Sequence, residues 1–150
     1  YDLAKISGVE AASREWHCHD TGKSGGYRRK LVDCPELRRS LLRKGLAHVF
    51  VVEGAALAED VALQGRAIKD KRGIWQKGAP EHLLTSLHSV DERNNSNEGY
   101  NRLCSVTTGV AAIYRHSDRY EVCQEICHGG SCMLYIPYKQ RYGKDRIQCP

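Results

Sequence analysis

Seven cysteines and one short basic run stand out as the reactive and charged groups of this 150-residue sequence. Cys18 and Cys34 stand apart from Cys104, Cys123, Cys127, Cys132 and Cys149, which crowd the last third. In an oxidising compartment such a set reads as up to three disulfides with one thiol left over; in a reducing one it reads as a metal site or as buried thiols. Cys123-x3-Cys127-His128-x3-Cys132, with Cys149 further on, could donate four ligands to zinc. That spacing fits no standard zinc module, and its hairpin-like setting favours cross-strand disulfides. His17-Cys18-His19 is weaker still, because a strand would put the two histidines on one face and the thiol on the other. No resident metal or other cofactor is expected, and an oxidising compartment is (periplasmic, extracellular or organellar intermembrane).

The second candidate is electrostatic. Between Arg28 and Lys44 the basic residues Arg28, Arg29, Lys30, Arg38, Arg39, Arg43 and Lys44 face only Asp33 and Glu36, which accounts for the whole net charge of +5. A concentration of this kind is a footprint for phosphates or anionic lipid, or else a solvated helix face beside a basic strand. Tyr27 next to Arg28 and Arg29 adds the aromatic-plus-basic mix of single-strand nucleic-acid binding. Tyr135, Tyr138 and Tyr142, near Lys139, Arg141 and Lys144, read rather as tyrosines packing a small sheet with basic rims.

Local pattern gives the strands and helices that carry these groups. Residues 1–10 read as a strand ending in a turn at Gly8, and HDTGKSGG from His19 as a loop. Tyr27–Cys34 reads as a second strand. Pro35 opens a helix with Glu36 in its first turn and Leu37, Leu41 and Leu42 on one side, and Gly45 ends it. Leu46–Val52, apolar and β-branched, predicts a buried strand. A second helix is expected from about Ala56 to Arg72, with Gly73 as its C-cap. Beyond it, Leu103–Tyr114, Tyr120–Ile126 and Met133–Tyr138 alternate as strands do.

Length and composition set the outer limits. A chain of 150 residues with 41% hydrophobic and 27% charged residues supports one ordinary domain, or a small one with an appendage, and excludes a large multidomain enzyme. The longest apolar run, Leu103–Tyr114, falls well short of the roughly 20 residues a membrane-spanning helix needs. The chain opens on Tyr1 without a basic-plus-apolar leader, which suggests a processed form. The expected organisation is a domain over 1–78, a linker over 79–99 ending in the polar DERNNSNEG, and a cysteine-rich, β-rich extension over 100–150.

One constellation resembles a known family. Leu37, Leu41, Leu42, Gly45, Leu46, Ala47 and Val49, followed by Ala67, Lys71, Arg72, Gly73, Ile74 and Trp75, resemble two ordered blocks of the staphylococcal-nuclease-like (thermonuclease) family. Upstream, Ile6–Ser13 is similar to its strand-to-loop motif. The resemblance covers about residues 1–75 and implies an α+β fold, a partial OB-fold-like β-barrel with two helices, to which the cysteine-rich β extension is added. It also implies calcium-dependent phosphodiester cleavage, with carboxylate ligands, a glutamate base and two arginines that neutralise the phosphate. Carried onto this chain, Glu10 takes a calcium-ligand position, Lys5 the first arginine position, and Arg28 or Arg29 the second. Ser13 stands where the base should be and cannot abstract a proton at neutral pH.

The expectation is therefore a non-catalytic interaction or assembly subunit of a larger complex, with a protein partner that completes the barrel. Its basic helix would contact nucleic acid or an anionic surface. The alternative is a secreted or periplasmic calcium-dependent nuclease acting on DNA or RNA, the one case in which Ca2+ is a cofactor.

Overall fold

The computed structural model describes residues 2–25, 28–92, 98–141 and 149. Tyr27, Tyr142, Lys144 and much of the DERNNSNEG stretch lie outside the described residues. Among the described residues the fold is mixed α+β, with three α-helices and three antiparallel sheets that form no closed barrel. The chain divides into two units, 1–49 with 57–79, and 50–56 with 80–150.

In the first unit, helix α1 (Asp2–Ala12) occupies the stretch whose pattern predicts a strand. Its half-covered positions Leu3, Ser7, Glu10 and Ala11 recur at helical spacing. Gly8 sits on the outer side, where an added Cβ would meet nothing within 4 Å, so it weakens the helix without breaking it. The orphan carbonyls at the end are taken up by Ser13 N–H on Glu10 O (3.2 Å) and Trp16 Nε1–H on Ala11 O (2.8 Å). Strand β1 (His19–Ser24) pairs antiparallel with β2 (Lys30–Asp33), although its composition reads as a loop. Gly22, at φ +68°, lies within the register shift between Asp20 and Ser24, and Cys18–Cys34 clamps the open end of the hairpin.

Helix α2 (Pro35–Arg43) follows the sequence expectation, and α3 (Ala58–Lys69) starts two residues later than expected and stops three earlier. Both end in the same double hydrogen-bonded motif. Leu46 N–H bonds Leu41 O (2.8 Å) and Gly45 N–H bonds Leu42 O (3.0 Å); Arg72 N–H bonds Ala67 O (2.9 Å) and Lys71 N–H bonds Ile68 O (3.0 Å). The left-handed residue closing α3 is therefore Lys71, at φ +51°, and not Gly73. Gly73 does something else: its φ is +53°, and a Cβ there would lie 2.0 Å from Gly45 O, while one on Gly45 would lie 2.3 Å from Arg72 O. The two helix ends meet backbone to backbone at these glycines, joined by Ile74 N–H on Gly45 O (2.8 Å). Trp75, in the 3-10 turn Gly73–Trp75 that follows, is 1% exposed.

Leu46–Val52 is not the buried strand its β-branched residues predict. Its backbone finds partners elsewhere: Val49 N–H donates to the side chain of the buried Gln64 (2.7 Å), and Val51 alone forms a bridge, parallel, to Val110.

In the second unit, strand β3 (His82–His88) arises inside the stretch that reads as a linker. It opens the sheet β3-β4-β5 with β4 (Gly99–Ser105) and β5 (Ala111–His116), so that the apolar run Leu103–Tyr114 is two strands around a turn. A separate hairpin, β6 (Gln124–His128) and β7 (Ser131–Tyr135), carries Cys127–Cys132 as a directly cross-strand pair, and Cys123 is joined to Cys149. Leu84, Leu87, Tyr120 and Tyr135 form the core with Leu103, Ile126 and Met133 against them. Beside it, Glu92 accepts hydrogen bonds from Tyr135 Oη (3.0 Å) and Arg141 Nη2 (2.8 Å), with His88 Nδ1 at 2.9 Å.

The cysteines resolve into three disulfides and one thiol. Cys104 is that thiol, 1% exposed, and burial pushes its pKa up, so it stays protonated. The four sulfurs weighed as zinc ligands are consumed by Cys123–Cys149 and Cys127–Cys132, and Glu125, next to the latter, has no thiolate to share a metal with. Three disulfides place maturation in an oxidising, non-cytosolic environment. No helix among the described residues is long and apolar enough to cross a membrane.

Candidate functional site

Helical spacing sorts the basic residues of α2 into different jobs. Arg38 turns toward β2 and α3, where it pairs with Asp33 and, through Nε, with Asp60 Oδ2 at 2.9 Å. Asp60 is 5% exposed, and a carboxylate so buried needs its counter-charge. Arg38 is therefore structural. Arg39 and Arg43, four residues apart, share another face of the helix with Ser40 and Lys44.

That face borders two cavities. One, of about 330 Å³, is lined by Arg14, Glu36, Arg39, Ser40, Arg43 and Lys44. The other, of about 400 Å³, is lined by Arg43, Arg66 and Arg72 together with Glu59, Asp70, Leu63 and Ala67. Arg43 belongs to both. Several of these cations have acids at hand: Arg39 Nε is 2.9 Å from Glu59, Arg72 is 2.9 Å from Asp70, and Arg14 is 3.6 Å from Glu36 while lying 4.1 Å over the Trp16 ring. Arg43 and Arg66 have no carboxylate partner among the described residues. Exposed pairs of this kind are worth under about 1 kcal/mol and exchange readily for a stronger anion. The arrangement can hold phosphate or carboxylate groups on either side of Arg43, each within reach of planar guanidinium forks.

Lys44 and Ser40 also anchor α1. Ser40 Oγ donates to Glu10 Oε1 (2.5 Å) and Lys44 Nζ to Glu10 Oε2. The Lys44 ammonium first, and then the Ser40 hydroxyl, hold the Glu10 carboxyl below its ordinary value. Both oxygens of the carboxylate that the family resemblance assigns to calcium are thus engaged by α2. Lys5 lies five residues away on the same helix, about 140° round it at 3.6 residues per turn. Arg28 sits at φ +57° near the tip of the β1–β2 hairpin, with Arg29 next to it, and Lys30 pairs with Asp20 at 3.5 Å. Ser13, to which the resemblance assigns the base position, donates its hydroxyl to Glu10 O and closes the end of α1.

Of the seven basic residues singled out from sequence, the structure brings Arg39, Arg43 and Lys44 to the two cavities, sets Arg38 inward, and leaves Arg28, Arg29 and Lys30 on the hairpin. Arg14, Arg66 and Arg72 are additions that the local charge count misses, because they come from other elements. Compared with family models, with curated proteins and with solved structures, the chain matches none.

Proposed function

We propose that this chain is a non-catalytic interaction subunit of a larger assembly, and that it engages a phosphate-bearing polyanion, nucleic acid in the first instance, through the Arg43-centred face of α2. The observation that carries the proposal is Arg43 itself, shared by two cavities, flanked by Arg14, Arg39, Lys44, Arg66 and Arg72, and without a carboxylate of its own among the described residues. The non-catalytic part is supported by Ser13 at the base position and by Glu10, whose oxygens are held by Ser40 and Lys44.

An abbreviated staphylococcal-nuclease-like ancestry belongs to the same proposal. Its support is that the two sequence blocks of the resemblance, separated in the chain, meet at the Gly45–Gly73 crossing with Trp75 buried just behind it.

The test is binding of a labelled single-stranded oligonucleotide followed by anisotropy across salt concentrations. Three or four phosphates neutralised on a single strand give a slope of about −2 to −3 in log K against log salt. Arg43→Glu should abolish binding at physiological salt while the unit stays folded, at a helix-dipole cost of under about 1 kcal/mol, whereas Arg38→Glu should unfold the unit. Salt-independent binding, or binding undiminished by Arg43→Glu, would refute the assignment.

A further inference from the structure

Strand β5 is the open margin of its sheet. The other margin, β3, is covered by the β6–β7 hairpin, through Leu84 N–H on Ser131 Oγ and His82 N–H on Gly129 O (3.1 Å). On β5, the bond from Ser105 N–H to Val110 O sets the phase of the ladder with β4, and the unbroken register from there turns the N–H and C=O of Ala111, Ile113 and Arg115 outward. Ala111 N–H is already given to Val51 O at 2.8 Å. Ile113 and Arg115 each hold an outward rung without a partner among the described residues, on a strand exposed over residues 112–115. Ile113 is 54% and Tyr114 48% exposed. An edge of this kind is a template for another strand, and natural sheets usually blunt it with charge, proline or a bulge. Here the only charge is Arg115, and Glu98 stands 2.7 Å from it.

We infer that β5 pairs antiparallel with β5 of a second copy of this chain, about a two-fold axis at Tyr114. Three two-fold registers bring the partnerless rungs of Ile113 and Arg115 together, and the strand itself chooses among them. A register centred on Ile113 needs the Ala111 N–H that Val51 holds. One centred on Arg115 sets that arginine against its own copy, like charge opposite like. The register centred on Tyr114 opposes Ile113 of each copy to Arg115 of the other, so that every free N–H and C=O on the two rungs is used. It also sets Ala112 across from His116, small against large. The two Tyr114 side chains then meet at a non-hydrogen-bonded pair, where cross-strand side chains lie closest. Each tyrosine is already steadied by His128, whose ring is 4.4 Å away.

The experiment uses the full oxidised chain. Sedimentation velocity from micromolar to millimolar concentration should show a reversible monomer–dimer equilibrium. Tyr114→Lys should raise the dimer dissociation constant about tenfold or more. Ile113→Pro, which removes an N–H that β4 does not use, should do the same. Retention of one free thiol and of the far-UV spectrum shows that each variant has folded. The register is read separately by mild oxidation: Tyr114→Cys should give a covalent dimer and Arg115→Cys should not. A chain monomeric at every concentration overturns the proposal, as does a dimer indifferent to both edge variants. A wild-type dimer that Tyr114→Cys fails to cross-link overturns the register.

Discussion

Replacing Gly73 with alanine tests the packing of the first unit at its tightest point. Three costs accumulate. The residue keeps a left-handed φ of +53°, which costs an L-residue about 1–2 kcal/mol. The new Cβ would start 2.0 Å from Gly45 O, 2.5 Å from Gly45 C and 2.8 Å from Lys44 O, all backbone atoms that no rotamer change can move aside. Ordinary contact requires the two helix ends to separate by more than 1 Å, an overpacking cost of about 1–3 kcal/mol. That shift stretches the 2.8 Å bond from Ile74 N–H to Gly45 O, whose net worth is about 1 kcal/mol. The expected loss is about 3–6 kcal/mol, and at about 4–8 °C per kcal/mol for a unit of this size the melting temperature should fall by more than about 10 °C. Gly65→Ala is the internal control. Gly65 lies in the middle of α3 with nothing within 4 Å of an added Cβ, so alanine should stabilise by about 0.5–1 kcal/mol. Thermal melts followed by circular dichroism decide the matter. If Gly73→Ala melts within a degree or two of the parent, the backbone crossing at Gly45 does not hold the helices together.

Removing Cys18–Cys34 by a double serine substitution should cost about 3 kcal/mol by the loop-entropy estimate. The β1–β2 hairpin should then lose amide protection first, since β1 has no buried residue and β2 only a half-covered Asp33. Acid should undock α1 from α2. Glu10 has its carboxyl held below the ordinary 4.5, so its contribution is complete above that value and is lost as the pH falls through the lowered one. Trp16 fluorescence, read from the end of α1, should report the change, and Glu10→Gln should be weakened at neutral pH and flat through that window. Alkali should act on the other unit. Burial first, and then the Glu92 carboxylate that accepts its hydroxyl, push Tyr135 from 10.0 up to about 12. Stability that is intact below pH 10 should therefore decline as the pH rises toward 12, and an absorbance titration at 295 nm should contain a late component near 12 that Tyr135→Phe removes.

The parts of the fold visible in the sequence are those fixed by local rules. Pro35, Glu36 and the leucine spacing specify α2, and the same logic specifies α3, because capping and periodicity act within one element. Crowded cysteines specify disulfides, though only the fold says that Cys123 joins Cys149 and Cys127 joins Cys132. What the sequence conceals depends on distant partners. HDTGKS becomes a strand because β2 and a disulfide hold it, and α1 is tethered through Glu10 to residues thirty or more positions away, Ser40 and Lys44. Leu46–Val52 has the composition of a strand, but its hydrogen bonds go to the Gln64 side chain and, around Val51, to Gly109 O and Ala111 N–H. The candidate site shows the same division. A charge count along the chain finds Arg39, Arg43 and Lys44, but it cannot tell them from Arg38, which differs by a third of a helical turn and is committed to Asp60. Nor can it add Arg14 and Arg66, which approach from α1's end and from α3.

The path of the chain between its two units has a consequence for how such a protein can change over generations. Residues 50–56 leave the first unit, join the second through Val51 on Val110, and return at Leu57. The first unit is thus interrupted in sequence by a strap, residues 50–56, that belongs to the second. A gene fusion or deletion at the 79/80 boundary would give a first half carrying Phe50 and Val52 without the strand Val51 bridges, and a second half missing the segment that covers Ala111. No disulfide crosses that boundary, so the strap is what a recombination event would sever from its partner strand. A cut at 79/80 therefore leaves each half with a loose end that the other half's sequence would have closed.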